Sequence, residues 1–484
     1  MFKLPLPLTL PLLALVVSCT VTERVESAHA PIAELALIPV PVDLQLSGDT
    51  CRLAASDLHR VQLSAQHYDA VLGAEGYRLS ISAQGVMLTA NTAAGLWNAQ
   101  ATLRQFLPPQ FPGFERFGGV WQLPCAEVVD YPRFAWRGYM LDVARHFFPV
   151  AELKRWMDVL ASYKINRLHL HLTDDQGWRL AMRGWPRLTE IGGAGAVGDA
   201  PGGYYTAEDY AVLERYAADR AMVLVPEIDM PGHVHAALAS YAELNCSGEA
   251  PEPYTGTQVG LSSLCLAADA TATTYGFATD MVRELAAATA GPYLHVGADE
   301  AHQTAEEDYR AFVQHVQAVV ADAGRVMVAW EEAAQAEVSS ATLLQVWINS
   351  LDVSQLNSDV RLIASPATRA YLDMRYDADT TWGTVWAGYV SLERAYDWDP
   401  VTEIAGASES RVIGVEGAMW TENVPDAAAV EFMSFPRVLG YAEIGWSPRE
   451  GRNWSQFRDR LASHGSRLRA AGVQYYADPS LDWR

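Results

Sequence analysis

Residues 138–172, GYMLDVARHFFPVAELKRWMDVLASYKINRLHLHL, decide the fold. Gly138–Val143 and Arg167–Leu172 are short apolar runs of strand length, and Ala151–Tyr163 between them has the period of an amphipathic helix. Strand, helix, strand in that order is the pattern of two parallel strands joined by a crossover helix. The alternation continues downstream. Further strands are predicted at Val223–Ile228, Tyr293–Val296, Arg325–Trp330, Leu343–Trp347, Arg361–Ala364 and Val412–Gly417. Helices are predicted at Thr206–Arg220, Tyr275–Thr289 and Glu306–Ala323, the first opened by Thr206 and Asp209 at capping-box spacing. Eight strands in about 290 residues predict an α/β chain closed into a (β/α)8 TIM barrel rather than an open doubly wound sheet. No glycine-rich phosphate loop follows the first strand, so nothing supports a dinucleotide fold.

Upstream of Asp130-Tyr131-Pro132 the pattern differs. Residues 37–128 read as a small α+β domain, and the barrel domain occupies 129–484. The small domain has a strand near Val61–Ser64, a hairpin of Tyr77–Ser82 and Val86–Ala90 turning at Gln84-Gly85, and a helix Thr92–Phe106 with Thr92 as its cap. Pro108, Pro109 and Pro112 then break the chain.

Residues 1–18 place Lys3 before the apolar run LPLPLTLPLLALVV, too short for a membrane span and fit for an export signal. Val16-Val17-Ser18-Cys19 resembles the bacterial lipobox, which implies cleavage before Cys19, lipidation of Cys19 and an exported lipoprotein tethered to a membrane on its periplasmic or cell-surface side. Ordinary secretion with nearby cleavage is the alternative. Residues 19–36 carry no periodic pattern and read as a tether. Either route leads to an oxidising compartment, where four cysteines remain to pair. Proximity favours Cys246–Cys265, leaving Cys51 and Cys125 for each other.

The composition excludes some functions. The 484 residues carry a net charge of −23, yet only 19% are charged and 50% are hydrophobic, so the chain is neither globally disordered nor polyanionic. No cluster of Lys and Arg offers the basic footprint that nucleic acid needs. Fifteen Trp and 21 Tyr suit neutral sugars, which offer flat C–H faces to rings and hydroxyls to carboxylates, but core packing uses the same residues.

In a barrel the residues after each strand converge on one face. Those positions hold Asp142 and Arg145, Asp174 and Asp175, Asp229, His233 and His235, Asp299 and Glu300, then Trp330, Trp347, Asp373 and Glu422. The sharpest stretch is Leu294-His295-Val296-Gly297-Ala298-Asp299-Glu300. Adjacent carboxylates point in different directions, so one can face a reacting bond and the other a neighbouring substrate group. Glycosidic cleavage needs a proton donor at the leaving oxygen and a stabiliser of an oxocarbenium-like centre. Read alone, the Asp-Glu pair also suits the start of a helix.

Seven ordered motifs decide between these readings: Arg137–Phe148, Leu168–Trp178 (LHLHLTDDQGW), Pro226–His233 (PEIDMPGH), Asp299-Glu300, Tyr371–Met374, Trp386–Tyr389 and Gly417–Glu422 (GAMWTE). In this order they strongly resemble family 20 glycoside hydrolases, the β-N-acetylhexosaminidases, and the small α+β unit resembles the domain that commonly precedes that barrel. The resemblance implies an exo-acting, retaining enzyme in which the substrate's 2-acetamido oxygen attacks the anomeric carbon. It makes Glu300 the acid/base, Asp299 the partner of the acetamido N–H, and Tyr371 the donor to the acetamido oxygen. Asp174 and His233 match a buried relay supporting Glu300, and Asp229 a carboxylate near Asp299. Arg145, Asp373 and Glu422 match residues binding the 3-, 4- and 6-hydroxyls. Trp330, Trp347 and Trp420 match walls of the acetamido pocket, and Trp386 a platform for the leaving sugar. Clustering carboxylates this closely is expected to raise at least one proton affinity, which helps a general acid stay protonated.

No metal or cofactor is implied, and the partners expected are β-linked N-acetylhexosamine oligosaccharides, a membrane through the lipid anchor and no nucleic acid. Two other readings compete. His169-x-His171 and His233-x-His235 have spacings that chelate zinc in metal-dependent amidohydrolases, and an inert sugar-binding protein would need the indoles without Glu300. Ala298, where the family pattern has a second glycine before the Asp-Glu pair, is expected to shift Asp299 slightly.

Overall fold

The computed structural model describes residues 35–54, 60–63, 68–109, 120–267 and 271–484. The export signal, Cys19 and nearly all of the tether lie outside them. The first domain is a five-stranded sheet in the order β1-β5-β3-β4-β2. Its strands are β1 Asp43–Ala54, β2 Arg60–Leu63, β3 Tyr77–Ser82, β4 Gly85–Ala90 and β5 Val120–Asp130, with helix α1 Ala93–Phe106 packed against β3 and β4. Thr92 caps α1 by accepting hydrogen bonds from the Ala94 and Gly95 amides.

The sequence reading contains neither β1 nor β5. Ser47-Gly48-Asp49 looks like a turn inside β1 and is a break in its register between Leu46 and Thr50. Pro124 argues against a strand at β5. It is tolerated because pairing with β3 reaches only Ala126, so no β3 partner lies beside it. Cys51–Cys125 and Cys246–Cys265 are both bonded, the first stapling β1 to β5. The second closes a loop of 19 residues' separation, worth about 3 kcal/mol through the unfolded chain.

The second domain is a closed barrel of eight parallel strands, β6 Trp136–Asp142, β7 Arg167–His171, β8 Val223–Glu227, β9 Tyr293–His295, β10 Val326–Trp330, β11 Leu343–Val346, β12 Arg361–Ala364 and β13 Val412–Met419. All eight strands expected from the sequence are present. So are helices α2 Val150–Ser162, α3 Ala207–Ala218, α5 Thr271–Ala288 and α6 Glu306–Asp322; the short α4, His235–Ser240, precedes α5. The Thr206/Asp209 capping box is formed at α3. Strands and helices bury their apolar faces together in one large core.

The small domain is bolted to the end of the barrel where β6 and β7 begin. Asp130 accepts from the buried Lys164 ammonium at 2.8 Å, the Tyr77 hydroxyl at 2.6 Å and the Trp446 indole at 2.9 Å. Glu75 pairs with Arg137 and accepts from Asn166. Asp130→Asn leaves Lys164 buried without its counter-charge, so stability is expected to fall by about 3–5 kcal/mol. A thermal-denaturation shift worth under 1 kcal/mol would instead assign the junction to apolar packing.

Candidate active site

At the opposite end, where the strands finish, a cavity of about 280 Å3 opens. Arg145, His233, Asp299, Glu300, Trp347, Tyr371, Asp373, Trp386, Trp420 and Glu422 line it, with Thr257, Val259, Thr384 and Asn423 at its edges. Ten of the thirteen residues expected in catalysis or binding therefore meet in one place. Asp174 and Asp229 lie buried beneath them. Trp330 does not reach the cavity surface; it is 1% exposed and packs behind Trp420 at 5.8 Å between ring centroids. Asp142, Asp175 and His235 also stay out of the cavity. Asp142 binds the Ala144 and Arg145 amides, Asp175 holds Ser262 and the His235 amide, and His235 contacts the Glu252 carbonyl.

The chain after β9 explains why Asp299 and Glu300 diverge. Gly297, Ala298 and Glu300 all have left-handed backbones, with φ of 67°, 75° and 43°. A Cβ on Gly297 would sit 1.7 Å from Asp229 Oδ1, so only glycine fits there. The Ala298 methyl is buried in the core. Its N–H donates to Asp229 at 3.0 Å and its carbonyl accepts the Tyr309 hydroxyl at 2.6 Å, so the backbone leading into Asp299 is held from both sides. The turn sends the Asp299 side chain inward, 10% exposed, and Glu300 to the rim, 25% exposed.

Below the rim runs a line of charges. His233 places Nε2 3.4 Å from Glu300 Oε2 and 3.7 Å from Asp299 Oδ2, and Nδ1 3.4 Å from Asp174 Oδ1. Asp174 also binds Arg145 at 2.7 Å and His171 at 2.8 Å. Burial would raise its pKa, but Arg145 and His233 hold the carboxyl far below the usual range. The His233 ring is disfavoured as a cation by burial, yet Asp174 and Asp299 raise it well above an ordinary imidazole. Arg145 further contacts Asp142 at 3.3 Å and Glu422 at 3.5 Å, and its Nε donates to Gln176 at 3.1 Å.

The carboxylates do not all gain proton affinity. Asp229 and Asp299 form a close buried pair with His233, and burial followed by mutual repulsion raises Asp229 well above the carboxylate range. Burial raises Asp299 too, but the His233 cation and a hydrogen bond from Asp229 hold it down, so the proton of the pair goes first to Asp229. Glu300 goes the other way: its contact with His233 lowers it. The expectation that crowding protonates the acid is thus corrected for Glu300, because an imidazolium rather than another carboxylate is its nearest charge. Burial and Glu422 raise Asp373 well above its normal value.

The walls are aromatic. Trp347 and Tyr371 stack at 6.0 Å with 6° between planes, and Trp386 meets both edge-on. Trp386 is 56% exposed on the rim, free to receive a second ring face. Asp299 Oδ1, Asp373 Oδ1 and Trp420 Nε1 are buried without protein partners and belong to cavity-lining residues. Orphaned polar atoms cost about 1–3 kcal/mol each, so their collection here marks a site whose hydrogen bonds are completed by its occupant.

Sequence reading missed Glu331 and Glu332, which follow β10. Glu331 accepts from the Trp347 and Ser350 amides, and Glu332 accepts from the Trp347 indole at 3.1 Å. Two adjacent acids directly after a barrel strand were the available signal. Burial and then Asp299 push Glu332 up to about 8, against an ordinary value of 4.5. Between those values the fold keeps a proton that the unfolded chain has lost, so stability falls as pH rises through the window. Glu332→Gln should therefore melt increasingly above wild type from pH 4.5 to 8. A constant difference across that range would contradict the assignment.

His169 and His171 do not form a metal pair with free nitrogens. Both nitrogens of each ring contact carboxylates, Glu416 and Glu227 for His169, Glu227 and Asp174 for His171. His235 faces a backbone carbonyl away from His233's carboxylates.

A closed parallel barrel with a small indole-walled, carboxylate-floored cavity at its strand ends is the arrangement of a sugar-cleaving enzyme. Residues 134–310 and 302–449 match the catalytic domain of glycosyl hydrolase family 20, and residues 34–131 match domain 2 of that family. The chain belongs to glycoside hydrolase family 20. It is 40% identical over 433 residues to a β-N-acetylhexosaminidase of Cellulomonas fimi, covering 89% of this chain and 85% of that one. The N-acetyl-β-hexosaminidase of Streptomyces plicatus, solved in complex with Thio-NAglucal, superposes with a TM-score of 0.87 at 43% identity, covering 95% of this chain and 99% of that one. A mutant of that enzyme was solved in complex with its product GlcNAc. A family 20 exo β-N-acetylglucosaminidase of Vibrio harveyi matches at TM-score 0.80 and 26% identity, over 95% and 81% of the two chains.

Proposed function

We propose that the chain is an exo-acting, retaining β-N-acetylhexosaminidase that releases terminal N-acetylglucosamine from β-linked oligosaccharides. The observation that carries this reading is the placing of two unlike carboxylates: Asp299 inside an aromatic box with Tyr371, and Glu300 on the rim against His233. The small volume of the cavity supports cleavage at a chain end, because it has room for one pyranose with its substituent. Arg145, Asp373 and Glu422 close its far side with donors and acceptors suited to ring hydroxyls.

In the first step the substrate's acetamido oxygen attacks C1, and the C1–O bond to the leaving sugar breaks as Glu300 delivers a proton to that oxygen. Ionised Asp299 accepts the acetamido N–H and offsets the positive charge of the oxazolinium ring; Tyr371 orients the acetamido oxygen. Glu300 then removes a proton from water, which opens the ring from the face the leaving sugar vacated and gives net retention. Sugar binding strips water from Glu300 and raises its pKa toward that of a useful acid, while the His233 imidazolium, kept charged by Asp174, is a proton source 3.4 Å away.

Acceptance of galactosamine-configured sugars turns on how Asp373 and Glu422 meet the 4-hydroxyl, and the lipobox-like sequence before Cys19 supports a lipid anchor there. The functional test is hydrolysis of a chromogenic β-N-acetylglucosaminide followed by NMR of the first-formed sugar. Release of the β-anomer is expected; a silent wild type, or release of the α-anomer, overturns the reading. For the anchor, Cys19→Ser should move the chain from membrane to soluble fraction, and an unchanged distribution refutes it.

A further inference from the structure

The barrel interior is unusual. TIM barrels fill this space with layers of branched apolar side chains, whereas here it holds His169, His171, Glu227, His295, Gln345 and Glu416, all buried. Gly138 makes the room: a Cβ there would lie 2.0 Å from Glu416 Oε2. Glu227, on β8, is the hub. Its Oε2 binds His169 Nε2 at 3.0 Å and His171 Nδ1 at 2.5 Å; its Oε1 binds the Trp330 indole at 3.0 Å and lies 2.9 Å from His295 Nδ1.

Both ends of this hub touch the active site. Through His171, whose Nε2 is 2.8 Å from Asp174, it reaches the residue that holds Arg145 and His233. Through Trp330 it reaches the ring behind Trp420, whose face also receives the Arg145 guanidinium at 5.1 Å. Resting on the hexosaminidase reading above, we propose that Glu227 is a positioning residue for the reaction, one buried carboxylate that fixes the acid/base relay and the acetamido-side indoles relative to each other.

The charges around Glu227 suit that task. It is faced by His169 and His171 from β7, His295 from β9, Trp330 from β10 and, two residues past the end of β8, Asp229. Burial alone would raise its pKa, but the imidazoles around it hold it well below the carboxylate range; His169 and His171 carry the charge, since burial lowers His295. His171, flanked by Glu227 and Asp174, is in turn held protonated against its own burial. A doubly protonated His171 donates at both nitrogens and can bridge the two carboxylates, which a neutral ring, with one donor, cannot do.

Glu416 provides the control. It is equally buried and binds His169, Gln345 and the Trp136 indole, but among the described residues it makes no hydrogen bond or ion pair with Asp174 or Trp330. The experiment measures kcat and KM on a β-N-acetylglucosaminide, together with thermal melting, for wild type, Glu227→Gln, Glu416→Gln and His171→Gln. Both glutamate variants are expected to lose stability. Glu227→Gln and His171→Gln should lower kcat by about 10- to 100-fold, the usual loss when an orienting partner behind an active residue is removed, with KM within about threefold because the sugar-hydroxyl contacts remain. Glu416→Gln should keep kcat within about threefold. If Glu227→Gln does not fold, His171→Gln alone carries the test. An active wild type whose Glu227 or His171 variant keeps full kcat, or whose Glu416 variant loses as much, overturns the role of Glu227. A wild type inactive on this substrate overturns the function itself.

Discussion

Glu300→Gln should lower kcat on a β-N-acetylglucosamine oligosaccharide by about 10²–10⁴-fold, the range for loss of a general acid/base. Gln keeps the size of Glu300 and a hydrogen-bonding oxygen beside His233, so sugar binding should survive and KM should change little. The loss should depend on the leaving group. A dinitrophenolate departs without protonation, so only the water-activating step suffers and the defect should shrink by at least tenfold. An equal loss on both substrates would remove Glu300 from the protonation step and leave it a purely structural rim residue.

Asp299→Asn should cost about 10²–10³ in kcat, the size of removing one preorganised electrostatic contact to a charged intermediate. Two features make the carboxylate hard to replace. It is buried with Oδ1 lacking a protein partner, and His233 and a hydrogen bond from Asp229 favour its charged form against the burial that raises its pKa. An amide supplies shape without charge, so the ring nitrogen of the intermediate loses its counter-charge. The same substitution removes the repulsion that raises Asp229 and Glu332, so the stability loss between pH 4.5 and 8 should lessen in this variant. A variant with near-normal kcat would place the stabilising charge elsewhere.

Much of this site was legible because barrel chemistry sits at fixed places. Apolar runs located eight strands, and reading the two to five residues past each predicted strand end found Arg145, Asp174, His233, Asp299 and Glu300. Three things were harder to read. β1 and β5 were hidden by Ser47-Gly48-Asp49 and Pro124, local turn and breaker signals that pairing with neighbouring strands overrides. Glu227 and Glu416 lie inside apolar strands, where periodicity registers only a strand; an acid facing a barrel interior was nevertheless a signal, since it demands partners. The depth of Trp330 and the direction of the Glu300 shift depend on which ring or charge stands nearest in space, and no spacing along the chain encodes that. The disulfides show a related limit: chain proximity favours Cys246–Cys265, whereas Cys51–Cys125 follows only once β1 lies beside β5.

In the proposed mechanism the nucleophile belongs to the substrate. This is tested most directly by a matched pair of aryl β-glycosides identical except at C2, one bearing acetamido and the other hydroxyl. In that mechanism Asp299 and Tyr371 serve the acetamido group, so turnover of the first is expected, with a kcat/KM lower by at least about 10³-fold for the second. Comparable turnover of the two would contradict it and would require a nucleophile supplied by the protein.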